Sequence, residues 1–147
     1  MDKLTPMVLT QRPTVTVRAA TDDDAPQVGW LAYQAGVTLD GLDWSRVAPY
    51  WLVAEQEGEL VGAVQLCPSL PIAGLEMLSV SHTLPHKTKA ATVKMLLLMG
   101  CATLQRMGAQ YVRGVVHPRR QSFIKILLKR GAIHLSDGGV YLMKVRA

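Results

Sequence analysis

The chain has 147 residues, 49% hydrophobic and 18% charged, which suits one domain with a real core and excludes a disordered chain. Its longest apolar stretch, Met95 to Leu104, is broken by Gly100 and Thr103 and falls far short of the ~20 residues of a membrane span. The net charge of +5 hides a division: residues 1–76 carry four Lys/Arg against ten Asp/Glu, a net of −6, and residues 77–147 carry twelve against one, a net of +11.

Residues 1–13, with two prolines and little pattern, read as a lead-in, and 14–147 as a single domain. Residues 1–12 lack the apolar core of a signal peptide, and Cys67 and Cys101 form neither a disulfide framework nor a CxxC motif, so a cytoplasmic location is expected. Thr14 to Arg18 alternates and is β-branched, as a half-buried strand does. Thr21 followed by three aspartates marks a helix start, with the helix expected over Asp22 to Ala35 and Val28, Leu31 and Ala35 inward. A variable segment rich in Gly, Asp and Trp follows, through Pro49. Trp51 to Gln56 and Glu59 to Leu66 then flank Glu57-Gly58, the pattern of an antiparallel hairpin.

A further strand is expected over Leu75 to Val80, then a short basic loop from Pro85 to Lys89. From about Ala90 to Met107 apolar residues recur at helical spacing, with Val93, Leu96, Leu97, Gly100, Leu104 and Met107 on one face. Met95, Leu98, Met99 and Ala102 make the opposite face apolar too, which predicts cover on more than one side. Gln110 to Val116 reads as a strand parallel to the one before the helix. A second helix from Gln121 to Arg130, stopped by Gly131, and a last strand over Val140 to Val145 after the Asp137-Gly-Gly139 turn complete the chain. The order predicts an α/β fold, a mixed central sheet with helices on both faces.

The basic half is suited to a polyanion, either a phosphate-rich cofactor or nucleic acid. His86, Lys87 and Lys89 cluster at the start of the long helix, with Lys94 one turn on. Cations there oppose the positive end of the helix dipole and call for an anion in compensation. Asp40, Asp43, Glu55, Glu57 and Glu59 in the acidic half suit a cationic amine. His82 and His86 are four apart, but Pro85 interrupts any helix between them, and no metal is expected. No serine sits in a Gly-x-Ser-x-Gly elbow. Trp30, Trp44 and Trp51 are expected in the core or in cleft walls.

The element order and three strings resemble the GNAT superfamily of N-acetyltransferases over residues 14–145. Trp51 to Val64 is similar to that family's central hairpin. Leu75-Glu-Met-Leu-Ser-Val80, with the loop and long helix after it, is similar to its fourth strand and coenzyme A site, and Val116 to Gly131 to its fifth strand and following helix. The family's Gln/Arg-x-x-Gly-x-Gly/Ala phosphate pattern is degenerate here. Pro85, Thr88 and Ala90 fill its three fixed positions in one register, and Lys87, Ala90 and Thr92 in a second. Leu127 stands where the family often has an acid-donating Tyr, and Arg120 where Asn is common.

The resemblance implies a GNAT-like acyltransferase that uses acetyl-CoA as cosubstrate and acetylates an amine of a small molecule or protein directly. It places cofactor contacts on Leu78, Ser79 and Val80, on His86, Lys87, Thr88, Lys89, Ala90 and Ala91, and on Arg119, Arg120 and Lys125. A backbone N–H near Ser79 or Val80 would polarise the thioester carbonyl. Glu76 resembles the family's strand-four glutamate and would be the base. Tyr141, ahead of Tyr111 and Ser122, is the hydroxyl to protonate the leaving thiolate. Two other readings stand beside it. One is a catalytically inactive GNAT-fold binding or assembly protein, with a homodimer or protein partner on the apolar long helix. The other is a basic nucleic-acid-binding protein, although aromatics are only 5% and stacking readout is poor.

Overall fold

The computed structural model describes residues 14–116, 120–136 and 140–145. The first strand, β1, is Thr16–Ala19. The aspartates after Thr21 form a 3-10 turn, and the α-helix proper, α1, is Ala25–Gln34, with Pro26 in its first turn where a missing N–H costs nothing. Val28 and Leu31 are buried as expected, but Ala35 is exposed beyond the helix end and Ala32 takes the third inward position. The variable segment contributes a short helix, α2, at Trp44–Val47 and a 3-10 turn at Ala48–Tyr50.

Strands β2 (Trp51–Gln56) and β3 (Glu59–Cys67) form the predicted hairpin. Glu57 and Gly58 both have positive φ, 52° and 81°, the turn geometry whose twist matches that of the strands. β4 spans Ile72–Val80 and starts three residues before the expected Leu75, because Ile72 to Gly74 pair with the next strand. Helix α3 is His86–Arg106. It begins directly after Pro85, so Lys87 and Lys89 lie in a first helical turn and not in a loop. Proline is compatible with the position before a helix, and the chain needs no further spacer.

β5 (Tyr111–Val115), α4 (Gln121–Lys129), β6 (Ile133–Ser136) and β7 (Val140–Lys144) follow. β6 was not foreseen, since four residues are too few for alternation to stand out. The Asp137-Gly-Gly139 turn and residues 1–13 lie outside the described residues. The sheet has seven strands in the order β1-β2-β3-β4-β5-β7-β6, antiparallel except for the central β4–β5 pair. It is the mixed α/β sheet expected. Among the described residues no helix is long and apolar enough to cross a membrane.

Core residues lie on both sheet faces. Val64, Leu66, Ala73 and Val112 meet Leu96 and Leu104 of α3 on one face, and Val53, Ala63 and Trp51 meet Val28 and Leu31 of α1 on the other. α3 is seated closely because Gly62 has no side chain: a Cβ there would lie 2.8 Å from Thr92 Cγ2 and 3.0 Å from Leu96 Cδ1. Its inward residues are Thr92, Leu96, Gly100 and Leu104; on the second apolar face Met95 and Ala102 are half-buried, whereas Leu98 and Met99 stay exposed. Met107 falls in the turn after the helix and is exposed. Trp51 is core and Trp44 tilts against it, but Trp30 is 59% exposed and stacks on Tyr33.

One ionic cluster ties β1, the 3-10 turn and β2 together. Arg18 donates from both terminal nitrogens to Asp24, at 2.7 and 2.9 Å, and from Nε to Glu55 at 2.6 Å. Asp24, only 5% exposed, also accepts from the Thr21 amide at 2.7 Å. The Arg18 hydrogen bonds hold its carboxyl below the ordinary 3.8, so its stabilisation is present above that pH and lost as pH falls through the lowered folded value. Asp24→Asn is expected to cost about 2 kcal/mol at neutral pH by urea unfolding, the scale of a charge-assisted hydrogen-bonded pair. The gap between wild type and variant should close as pH drops below 3.8.

Candidate active site

β4 and β5 pair through only three positions, Ile72 with Tyr111, Ala73 with Val112 and Gly74 with Arg113. Both strands continue past that point without pairing. β4 stays with β3 as far as Val80, and β5 stays in register with β7 as far as Val115 opposite Val140. The sheet therefore opens into a wedge between its two parallel strands. A bulge in β4 lies beside the opening. Gln65 faces Glu76 and Ala63 faces Ser79, so Met77 and Leu78 together oppose Val64. Met77 has φ +55°, unusual for a residue with a side chain.

A cavity of about 80 Å³ fills the wedge. Leu75, Met77 and Leu78 wall it from β4, and Gly114 and Val115 from β5. Leu97 and Cys101 of α3, Phe123 and Leu127 of α4, and Tyr141 of β7 close the far side. A second hollow of about 230 Å³ shares Met77, Leu78, Val115, Val116 and Phe123 with it and adds Val37, Ser79 and Arg120. The two form one groove, narrow and apolar inside and wider at a mouth that carries a guanidinium.

The N-terminus of α3 follows β4 through one turn, which is pinned to β3 by the Ser81 amide donating to the Val61 carbonyl at 2.8 Å. This end has no side-chain cap and no acidic residue in its first turn. The Lys89 amide donates to Pro85 at 2.9 Å, and the amides of His86, Lys87 and Thr88 have no backbone acceptor. His86, Lys87, Ala90 and Ala91 are exposed, and Thr88 and Lys89 half-buried. Three free amides at the positive end of a 21-residue helix, with cations and no acid beside them, suit an anion.

The other expected residues separate into groups. Leu78 walls both parts of the groove. Ser79 and Val80 pair with β3, opposite Ala63 and Gly62, and lie beyond the last β4–β5 pair, in the opened stretch of β4, with the bulge just before them at Met77–Leu78. Nothing in residue type marks the bulge. The Ser79 hydroxyl donates to the Met77 carbonyl at 3.2 Å and braces the bulge. Glu76 is exposed, outside the cavity walls, on the sheet face away from α3 and next to Met77. Tyr141, 8% exposed, walls the cavity with its ring stacked on His134 at 4.9 Å. Tyr111 sits at the paired end of the wedge. Arg120 is at the mouth, and Lys125 is exposed on α4 away from the groove walls. Arg119 and the side chain of Ser122 lie outside the described residues. Met77, Cys101 and Phe123 were missed as wall residues, since only the register of β4 and the seating of the helices bring them there.

No family model matches this chain, and no curated protein matches it. Solved structures do. N-acetylglutamate synthase from Neisseria gonorrhoeae, complexed with coenzyme A and L-arginine, superposes with a TM-score of 0.72 at 15% identity over 90% of this chain. Ard1 from Thermoplasma volcanium superposes at 0.67 and 18% identity, over 90% of this chain and 99% of its own. A GNAT-family acetyltransferase from Staphylococcus aureus Mu50 superposes at 0.71 and 9% identity, over 90% of this chain and all of its own. The chain spans about a third of the length of the synthase, 34%. The fold is that of the GNAT acetyltransferases, as the sequence resemblance implied.

The wedge makes a prediction about its own wall. Burial pushes the Cys101 thiol up to about 11. In a Cys67→Ser background at pH 8, Cys101 should react with a disulfide reagent about a hundredfold more slowly than a free thiol of ordinary pKa. Its rate should keep rising through pH 10 and reach the free-thiol value in urea.

Proposed function

We propose that this domain binds acetyl-coenzyme A in the wedge and transfers its acetyl group to an amine. The observation that carries the reading is the early end of β4–β5 pairing. It opens a groove from the sheet interior to a mouth lined by Ser79 and Arg120, and the uncapped start of α3 follows the same strand, β4, through one turn. The residues fit such a cosubstrate. The free amides of His86, Lys87 and Thr88, with the Lys87 and Lys89 side chains, hold the diphosphate, aided by Arg120 at the mouth. Leu78 and the apolar groove take the uncharged arm, with Ser79, Val80, Ala90 and Ala91 bordering the path. The cosubstrate supplies an acetyl group already activated as a thioester.

The chain's part is positioning and proton management. The main chain at Met77–Leu78, out of the β3 ladder, is the source of N–H groups for a carbonyl oxygen in the wedge. Glu76, one residue before the bulge and open to solvent, accepts the proton of the incoming amine. Tyr141 supplies the hydroxyl for the departing thiolate, since Leu127 in the same wall has none. Leu127 also favours a second reading, a protein that binds the cosubstrate without turnover.

Calorimetry with acetyl-CoA should show saturable binding that the Lys87→Ala/Lys89→Ala double variant weakens at least tenfold. No binding at millimolar cosubstrate would overturn the assignment, and a salt-sensitive response to RNA or DNA instead would favour the phosphate-driven alternative. In a thiol-release assay over a panel of amines, Glu76→Gln should slow turnover by roughly 10² to 10⁴, the range of general-base catalysis. Equal rates remove Glu76 from the mechanism. Binding with no release for any amine favours the non-catalytic reading.

A further inference from the structure

The sheet face away from α3 carries a second set of polar groups beside the wedge. Cys67, Gly74 and Arg113 are direct cross-strand partners on β3, β4 and β5, so their side-chain positions share a face. A Cβ on Gly74 would lie 3.5 Å from Arg113 Nε and 3.5 Å from Cys67 Cβ, so the arginine side chain lies over the glycine. Two residues along β4, Glu76 points to the same face opposite Gln65, while Leu75 between them points to Gly100 of α3. Burial pushes the Cys67 thiol up, the neighbouring Glu76 carboxylate adds to the rise and Arg113 opposes it, so all three groups are close together.

Arg113 and Glu76 are both exposed, and among the described residues neither belongs to an ion pair. The two ion pairs among the described residues are both made by Arg18. A guanidinium without a carboxylate partner thus stands about 7 Å along the strand direction from a carboxylate without a cation. Nothing in the packing calls for either charge. Arg113 contributes to the cavity wall, and Glu76 adjoins the bulge, so both border the place where an acceptor must approach.

We infer that the acceptor is an amine that also carries a carboxylate, with Arg113 as the specificity-determining residue that receives the carboxylate while Glu76 faces the amine. The pair then satisfies both free charges at once. The planar fork of Arg113 suits a carboxylate better than an ammonium group would, and Gly74, having no side chain, lets Arg113 lie across the strand toward Glu76. This rests on the transferase reading, and the test keeps the two apart.

Protein saturated with coenzyme A is titrated by calorimetry with matched pairs: β-alanine against ethylamine, 4-aminobutyrate against propylamine, and ornithine against putrescine. Binding is the readout, so turnover is not required. In at least one pair the carboxylate-bearing member should bind tenfold or more tightly than its partner. Arg113→Gln should bring that pair within twofold, and Arg113→Lys should recover part of the difference. Equal affinities within every pair, a difference that survives Arg113→Gln, or no binding by any member overturns the inference. The preceding coenzyme A titration, run on wild type and on each variant, reports separately on the cosubstrate site. Its failure in wild type would remove the transferase reading itself.

Discussion

The site exists because β4 has one residue more between Glu76 and Ser79 than β3 offers partners for. The surplus is absorbed at Met77, whose left-handed backbone costs a side-chain-bearing residue about 1–2 kcal/mol. That cost is met locally, by the Ser79 hydroxyl on the Met77 carbonyl and by packing of Met77 against the core under α1. Unusual backbone persists where the surroundings over-determine it, and such places concentrate at functional sites. Here the kink sits where β4 and β5 part, so one irregularity supplies both main chain outside the ladder and room beside it.

The remaining architecture holds the two sides of the wedge in place. On one side, β4 is bound to the hairpin and the Arg18 cluster clamps that hairpin to β1 and the start of α1. On the other, β5 is bound to β7, and α4 packs Ile124 and Leu127 against Tyr141 and Val116. α3 crosses behind both, close-seated at Gly62 and at Gly100, where a Cβ would lie 2.7 Å from Leu75 Cδ2. The direction of its N-terminus follows from that seating, and with it the position of the free amides one turn beyond β4.

Much of this was legible in the residues. Glu57-Gly58 between alternating apolar runs announced the hairpin, and the recurrence of Leu96, Gly100 and Leu104 announced the long helix, because local turn chemistry and helical period are written in residue type. The start of α3 was misplaced because its first turn carries His86, Lys87 and Lys89, the reverse of the acids that usually mark a helix N-terminus. The bulge left no trace, since a methionine at positive φ carries none of the signal a glycine would. Glu76 was readable as a candidate by family resemblance, and Tyr141 as one of the few hydroxyls left once the family's Tyr position fell on Leu127. Arg113 was not, because its significance comes from lying over Gly74 on a neighbouring strand.

The two outermost strands, β1 and β6, have four residues each, whereas central β3 and β4 have nine. A sheet border of that length exposes few unpaired backbone groups, and one of them carries the ion-paired Arg18. Such a rim offers little template for another chain to add a strand, a safeguard against edge-to-edge aggregation that natural sheets commonly employ. The long central strands β3 and β4 are thereby kept inside, where their pairing tendency cannot recruit a neighbour.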